Sequence, residues 1–189
     1  MKLKAFFASI SATVLTACGG VDVSQYANES PKLDLPSFFN GTIDAWGIFQ
    51  KRSGEVAKRF TVEIEAKWQS ANEGTLDEHF VYSDGEKQRR VWTLRRQSDG
   101  TWQGTADDVV GIAKGSVSGN ALRWTYILKL PVDGKVYEVS FDDWMWQMDG
   151  QTMMNRSTMS KFGIDLGEVT LFFRKRPDGL TNSATVTRQ

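Results

Sequence analysis

The chain has 189 residues with 23 basic and 23 acidic side chains, a formal net charge of zero that leaves no electrostatic footprint for nucleic acid and no polybasic pull toward anionic lipid. One cysteine excludes an internal disulfide, an iron–sulfur cluster and a cysteine-based zinc site, and one histidine cannot build a histidine metal cluster, so no metal or cofactor is expected.

The chain opens MKLKAFFASISATVLTAC. Lys2 and Lys4 form a positive start, and Ala5 to Leu15 is an apolar stretch too short to span a bilayer, so residues 1–17 read as a secretory signal. Leu15-Thr16-Ala17-Cys18 is similar to the bacterial lipobox, which implies a diacylglyceryl thioether on Cys18, cleavage before it and acylation of the new amino group. Each buried methylene contributes roughly 0.8 kcal/mol, so several acyl chains hold a protein on a membrane essentially permanently. Gly19 rather than Asp follows the cysteine, which by the sorting habit of Gram-negative lipoproteins implies the periplasmic side of the outer membrane. Without Lys2 and Lys4 the mature chain has 21 basic against 23 acidic residues, a charge of about −2.

Residues 18–36, with the polar run GGVDVSQYANESPKLDLP, show no sustained period and read as a lipidated Cys18 followed by a flexible tether. The folded domain is expected over 37–176, and the polar stretch 177–189 as a disordered tail.

Within the domain the dominant period is two. Phe60, Val62, Ile64, Ala66 and Trp68 alternate with Thr61, Glu63, Glu65 and Lys67, and Leu122, Trp124, Tyr126, Leu128 and Leu130 repeat the pattern, as do Val169, Leu171 and Phe173. Turn signals such as RSGE, SDGE, QSDG, VDGK and MDGQ fall between them. Short hairpins at regular spacing predict an all-β, antiparallel up-and-down meander of roughly eight to ten strands closed into a barrel, with a sandwich as the alternative. Gly104, Ala106, Gly111, Ala113 and Gly115 are expected at sharp bends where strands turn the barrel's corners.

Catalytic groups are sparse. His79 alternates with Glu78 and Phe80 and is expected in solvent, and no GxSxG elbow, Walker loop or EF-hand spacing occurs. Asp107-Asp108 and Asp142-Asp143 read as turn or bulge residues rather than an acid–base pair, because adjacent side chains on a strand point to opposite faces. Arg90, Trp92 and Leu94 share the more apolar face of their strand. If that face is interior, Arg90 either receives an anionic head group or pairs with Glu78 on the preceding strand.

The stretch FDDWMWQMDG raises a question of phase, since Tyr137, Val139 and Phe141 precede Trp144, Trp146 and Met148 with a shift of one. A β-bulge at Asp142-Asp143 would bring all of them onto the inner face, with Trp144, Trp146 and Met148 at the barrel mouth; without it both tryptophans stand outside.

FFNGTIDAWGIFQKRSG, GTADDVVGIAKGSVSGNALRWTY, FDDWMW and MNRSTMSKFGIDLGEVTLFFRK together resemble the DUF3833 family of Gram-negative lipoproteins. The resemblance implies a lipocalin-like or calycin-like barrel, and brings no activity or catalytic residue. The leading expectation is a membrane-tethered barrel that binds or transfers a lipid-like molecule, such as a fatty acid or phospholipid, through Trp144, Trp146, Met148, Arg90, Trp92 and Tyr126. A filled barrel that contacts envelope proteins is the alternative, and an enzyme acting on a lipid, resting on Asp142, Asp143 and Arg90, is the least supported.

Overall fold

The computed structural model describes residues 20–132 and 134–177. The expected signal (1–17), the lipidated Cys18 and the expected tail beyond Pro177 lie outside the described residues.

Alternation in the sequence becomes strands. These are β1 (Gly41–Lys51), β2 (Val56–Ser70), β3 (Glu73–Tyr82), β4 (Lys87–Arg96), β5 (Trp102–Thr105), β6 (Ala113–Ser118), β7 (Ala121–Val132), β8 (Lys135–Gln147), β9 (Thr152–Lys161) and β10 (Ile164–Lys175). Each pairs antiparallel with the next, and β10 returns to β1 with Phe173 opposite Ala45, so the sheet closes on itself. This is the up-and-down closed barrel that lipocalins build with eight strands. Two additional strands widen the interior.

In β2, Phe60, Val62, Ile64 and Ala66 are buried while Thr61, Glu65 and Lys67 are exposed, as the period-two pattern demands. The hairpin after β3 turns on Gly85, whose φ of 86° lies in the left-handed region that glycine enters without steric cost. Gly104 and Gly115 have a different role from the corner bends expected of them. Both face inward against the Trp124 ring, and a Cβ at either position would overlap it. Gly111, at φ 69°, does serve a turn.

Antiparallel order sets the two ends of the barrel apart. At one end lie the β1–β2, β3–β4, β7–β8 and β9–β10 hairpins; at the other lie β2–β3, β4–β5, β6–β7 and β8–β9. The second end is plugged. Helix α1 (Leu35–Phe38), capped by the Asp34 side chain accepting from Ser37 N at 3.1 Å, buries Leu35, Phe38 and Phe39 beneath it. Trp68 Nε1 donates to the Phe39 carbonyl, and the Phe39 ring meets Phe173 edge-on at 6.1 Å. Each such aromatic burial contributes roughly 1.5–3 kcal/mol.

Residues 20–36, expected as a flexible tether, are ordered against the barrel instead. A 3-10 helix (Val23–Tyr26) lies on β6 and β7, and Leu33 N donates to Gly119 O at 2.8 Å in the β6–β7 turn. Leu33 and Leu35 are buried. Their anchoring comes from tertiary contacts with distant strands, which a segment without internal period does not announce. Among the described residues no helix is long and apolar enough to cross a membrane.

The loop from 106 to 112 compensates for the shortness of β5 and β6. Val110 N donates to Ile127 O and Lys129 N to Asp108 O, each at 2.8 Å, and Val109 bridges Leu128, so the loop completes the wall beside β7.

Candidate functional site

The bulge expected at Asp142-Asp143 does not occur. β8 pairs with β7 in unbroken register from Val132 opposite Lys135 to Ala121 opposite Trp146, and with β9 equally continuously. The inner face of β8 therefore runs Val139, Phe141, Asp143, Met145 and Gln147, all but Met145 buried. Trp144 and Trp146 stand on the outer face, stacked on each other at 6.1 Å and 14°. They are covered there by Tyr26, with ring centroids 5.9 and 6.3 Å away. Arg123 lies over the Trp144 ring at 5.5 Å and is bound to Asp142 by two hydrogen bonds of 2.8 Å. Met148 is exposed in the β8–β9 turn. None of Trp144, Trp146 and Met148 faces the interior, because the aromatic pair is a seat for the chain's own N-terminal segment.

Inside the barrel is a cavity of about 370 Å³, within the roughly 300–1,000 Å³ range of small-molecule pockets. Leu35 and Phe39 form its floor, and Lys58, Tyr82, Glu86, Leu130 and Val132 surround the opposite, open end. Its walls differ. β1, β2 and β10 present Phe49, Phe60, Val62, Ile64, Val169, Leu171 and Phe173, broken only by Lys58 at the rim. β3, β4, β7, β8 and β9 carry a polar arc of Glu78, Gln88, Arg90, Tyr126, Asp143, Asn155 and Ser157.

Of the residues expected at the site, Arg90, Trp92 and Tyr126 line this cavity. Trp92 meets Trp124 and Tyr126 edge-on at 5.8 and 5.4 Å, and Tyr126 stacks on Phe141 at 5.0 Å. Arg90 is not a free cation. Its Nε lies 3.0 and 2.9 Å from the two Asp108 carboxylate oxygens and its Nη2 2.8 Å from Oδ2. Glu78, the partner considered from sequence, is more distant at 3.8 Å from Nη1. Gln88 Nε2 donates to Asp108 at 3.3 Å and Tyr82 OH donates to Gln88 at 2.8 Å, carrying the network toward the open end.

Asp143 accepts from Tyr126 OH at 3.2 Å and from the Ser157 hydroxyl. Burial pushes its carboxyl up to about 8, against the Tyr126 hydrogen bond and the Arg90 charge, which favour ionisation. Burial likewise lifts Glu78 to about 7, opposed by Arg90 and reinforced by Asp108. Tyr126 is held well above its ordinary value by burial and by Asp143, so it stays a hydroxyl donor. Burial works against the Arg90 charge, but the Asp108 hydrogen bonds and the Glu78 charge outweigh it and leave the guanidinium more basic than usual.

Asp143 was within reach of the sequence, since it continues the inward phase of Val139 and Phe141. Asp108 was not, because it acts from a loop whose path depends on β7. His79 lies on the outer wall, 3.2 Å from Asp77. Among the described residues no group of three or more histidine, cysteine, aspartate or glutamate side chains is arranged to hold a metal ion.

Several solved structures are similar in fold. A de novo designed fluorescence-activating β-barrel is 14% identical, covering 76% of this chain and 99% of that one at a TM-score of 0.40. A structure described as EF1p2_mFAP2b bound to DFHBI is 10% identical over 76% of this chain and 98% of that one, at 0.43. Lobster apocrustacyanin A1 is 10% identical over 73% of this chain and 61% of its own, at 0.33. No curated protein sequence matches the chain. A family model described as a protein of unknown function matches residues 12–175, and the chain belongs to that family, DUF3833.

Proposed function

We propose that the protein is a lipoprotein, anchored through Cys18 on the periplasmic side of the outer membrane, whose barrel binds or transfers a lipid-like hydrophobic molecule. The observation that carries this reading is the 370 Å³ cavity, floored by Leu35 and Phe39, walled on one side by apolar residues and on the other by apolar residues with an arc of polar groups set among them. A long apolar body with a polar head fits such a division, since the polar arc fixes orientation while the apolar wall supplies the area removed from water. A filled scaffold would have closed this space with side chains, as protein interiors normally do.

The path of the N-terminal segment sets how such an anchor would orient the barrel. Asp22 lies near Arg123, at the plugged end of β7. A lipid on Cys18, four residues upstream, would be within about 14 Å of that point. With that anchor the plugged end would sit toward the bilayer and the open end would face away from it, free to receive or deliver a ligand.

Two measurements test this. Labelled palmitate should enter the wild-type protein and not Cys18→Ser. Native mass spectrometry and solvent extraction of the Cys18→Ser chain should show one apolar molecule per protein, or one molar equivalent of a fluorescent lipid probe taken up after delipidation. A clean apo mass together with no probe uptake would refute the binding reading.

A further inference from the structure

The groups that face the cavity form a short inventory. β2 contributes Lys58, β3 Glu78 and Tyr82, the following turn Glu86, β4 Arg90, the 106–112 loop Asp108 beside it, β7 Tyr126 and β8 Asp143; β1, β9 and β10 contribute no titratable group. Both cations are already matched. Arg90 is engaged by both Asp108 oxygens at 2.9 and 3.0 Å, and Lys58, at the open rim, by Asp84 at 2.9 Å and Glu86 at 2.7 Å.

Two carboxyl groups remain. Asp143, 6% exposed, receives only the hydroxyls of Tyr126 and Ser157. Glu78 has the Trp92 indole beside it and its nearest cationic atom at 3.8 Å, beyond hydrogen-bonding distance, and the 14% of its side chain that is open faces the cavity. A ligand with an anionic head would meet no unmatched cation here and would require both acids to keep their protons. A ligand with a cationic, donating head would meet two carboxyl groups, Asp143 bonded only to hydroxyls and Glu78 with no cationic atom nearer than Arg90 Nη1 at 3.8 Å.

We infer that the molecule taken up by the barrel is an amphiphile with an ammonium head, received between Glu78 and Asp143, on an apolar body lying along the β1, β2 and β10 wall. This inference rests on the cavity being a ligand site, and the chemistry of the head is what it adds. A fatty acid, the simplest anionic candidate, finds no unmatched cation here and is disfavoured once either acid ionises.

Protonation supplies a second signature. Both acids are lifted by burial, Glu78 to about 7 and Asp143 to about 8, so near neutrality they hold protons in the empty barrel. An entering ammonium stabilises the ionised forms and displaces protons, so its affinity rises with pH through that range. A carboxylate head needs both acids protonated, and its affinity falls over the same range.

The experiment compares three ligands of equal chain length, dodecylamine, dodecanol and dodecanoate, below their critical micelle concentrations. Each is titrated into the delipidated full chain carrying Cys18→Ser, followed by intrinsic tryptophan fluorescence, to which the cavity-lining Trp92 and Trp124 contribute. Dodecylamine is expected to bind about tenfold or more tighter than dodecanoate at pH 8, roughly 1.4 kcal/mol, and tighter than dodecanol. Calorimetry in two buffers of different ionisation heat should show proton release on binding the amine. In Glu78→Gln/Asp143→Asn the preference for amine should disappear while dodecanol binding persists. An amine that binds no better than the alcohol, or a carboxylate that binds as tightly, overturns the ammonium assignment and leaves the lipid-binding reading standing. Failure of all three to bind removes both.

Discussion

Asp108→Asn tests whether the Arg90 pair is an interior element of the barrel. In the native protein Arg90 is 11% exposed, Asp108 24% exposed, and three nitrogen–oxygen distances between them are 3.0 Å or less. Breaking a buried pair by removing one partner costs about 3–5 kcal/mol, because the remaining charge is left in a medium that solvates it poorly. Two features reduce that here: Asp108 is a quarter open, and Glu78 at 3.8 Å supplies a substitute counter-charge. The expected cost is about 2–3 kcal/mol, a fall in Tm of about 5–10 °C for a chain of this size. Urea unfolding of the Cys18→Ser chain, with and without Asp108→Asn, reads it directly, and an unchanged denaturant slope confirms that the native fold is retained. Arg90→Met/Asp108→Leu, which removes both charges, should cost less than the single change, since an apolar pair of similar volume carries no desolvation penalty. A single-variant loss below about 0.5 kcal/mol, or a double-variant loss equal to the sum of the two singles, would mean that the pair is solvated and that the polar arc is a wet rim.

The empty barrel should gain stability on acidification. Glu78 and Asp143 have folded-state values of about 7 and 8 against ordinary values of 4.5 and 3.8, so between roughly pH 4 and 8 the folded state binds protons that the unfolded state has released. Stability should therefore fall as pH rises through that window, by up to about 1.4 kcal/mol per pH unit per group, and chemical denaturation of Asp143→Asn at pH 5.5 and 8.5 should show a flatter dependence; an unchanged one contradicts the burial of that carboxyl. Gly104→Val places a branched side chain into the Trp124 ring and should cost about 1–3 kcal/mol in urea unfolding, whereas the same change at the exposed Gly150 should cost far less. Tyr26→Ala should uncover the outer tryptophans, shifting emission to the red and raising acrylamide quenching, with a loss of about 1 kcal/mol for the aromatic contacts. Quenching identical to wild type would mean that Tyr26 does not cover Trp144 and Trp146.

The barrel was legible because its strands are half-buried, which forces alternation, and because tight antiparallel hairpins require residues that adopt left-handed backbone. β2 is the clearest example, from Phe60 to Ala66. The interior placement of Arg90, Trp92 and Tyr126 followed from the same period. What failed was the assumption that large aromatics mark the inner face. On β8 that assumption required a bulge, when the register is continuous and the inner position is held by an acid. A buried carboxylate looks like a surface residue in sequence even where, like Asp143, it keeps the inward phase of its strand, and its partners Tyr126 and Ser157 lie 17 and 14 residues away. Asp108 was hidden for a related reason, since Arg90 lies 18 residues before it and only the zipping of the 106–112 loop to β7 brings the two together.

The outer tryptophans and the floor of the cavity are consequences of one another. Trp144 and Trp146 hold Tyr26, Gly119 holds the backbone of Leu33, and two residues later the same chain enters the barrel end as Leu35, Phe38 and Phe39. The cavity floor is therefore secured by contacts made on the outside wall. Loosening the outer seat should loosen the floor, so a pull on the segment that leads toward Cys18 acts on the same residues that close the cavity. The walls are fixed by hydrogen-bonded strands, whereas the plug is tied to the barrel by the Leu33 N–Gly119 O bond and by side-chain contacts, so it is the part through which the N-terminal segment can influence the space inside.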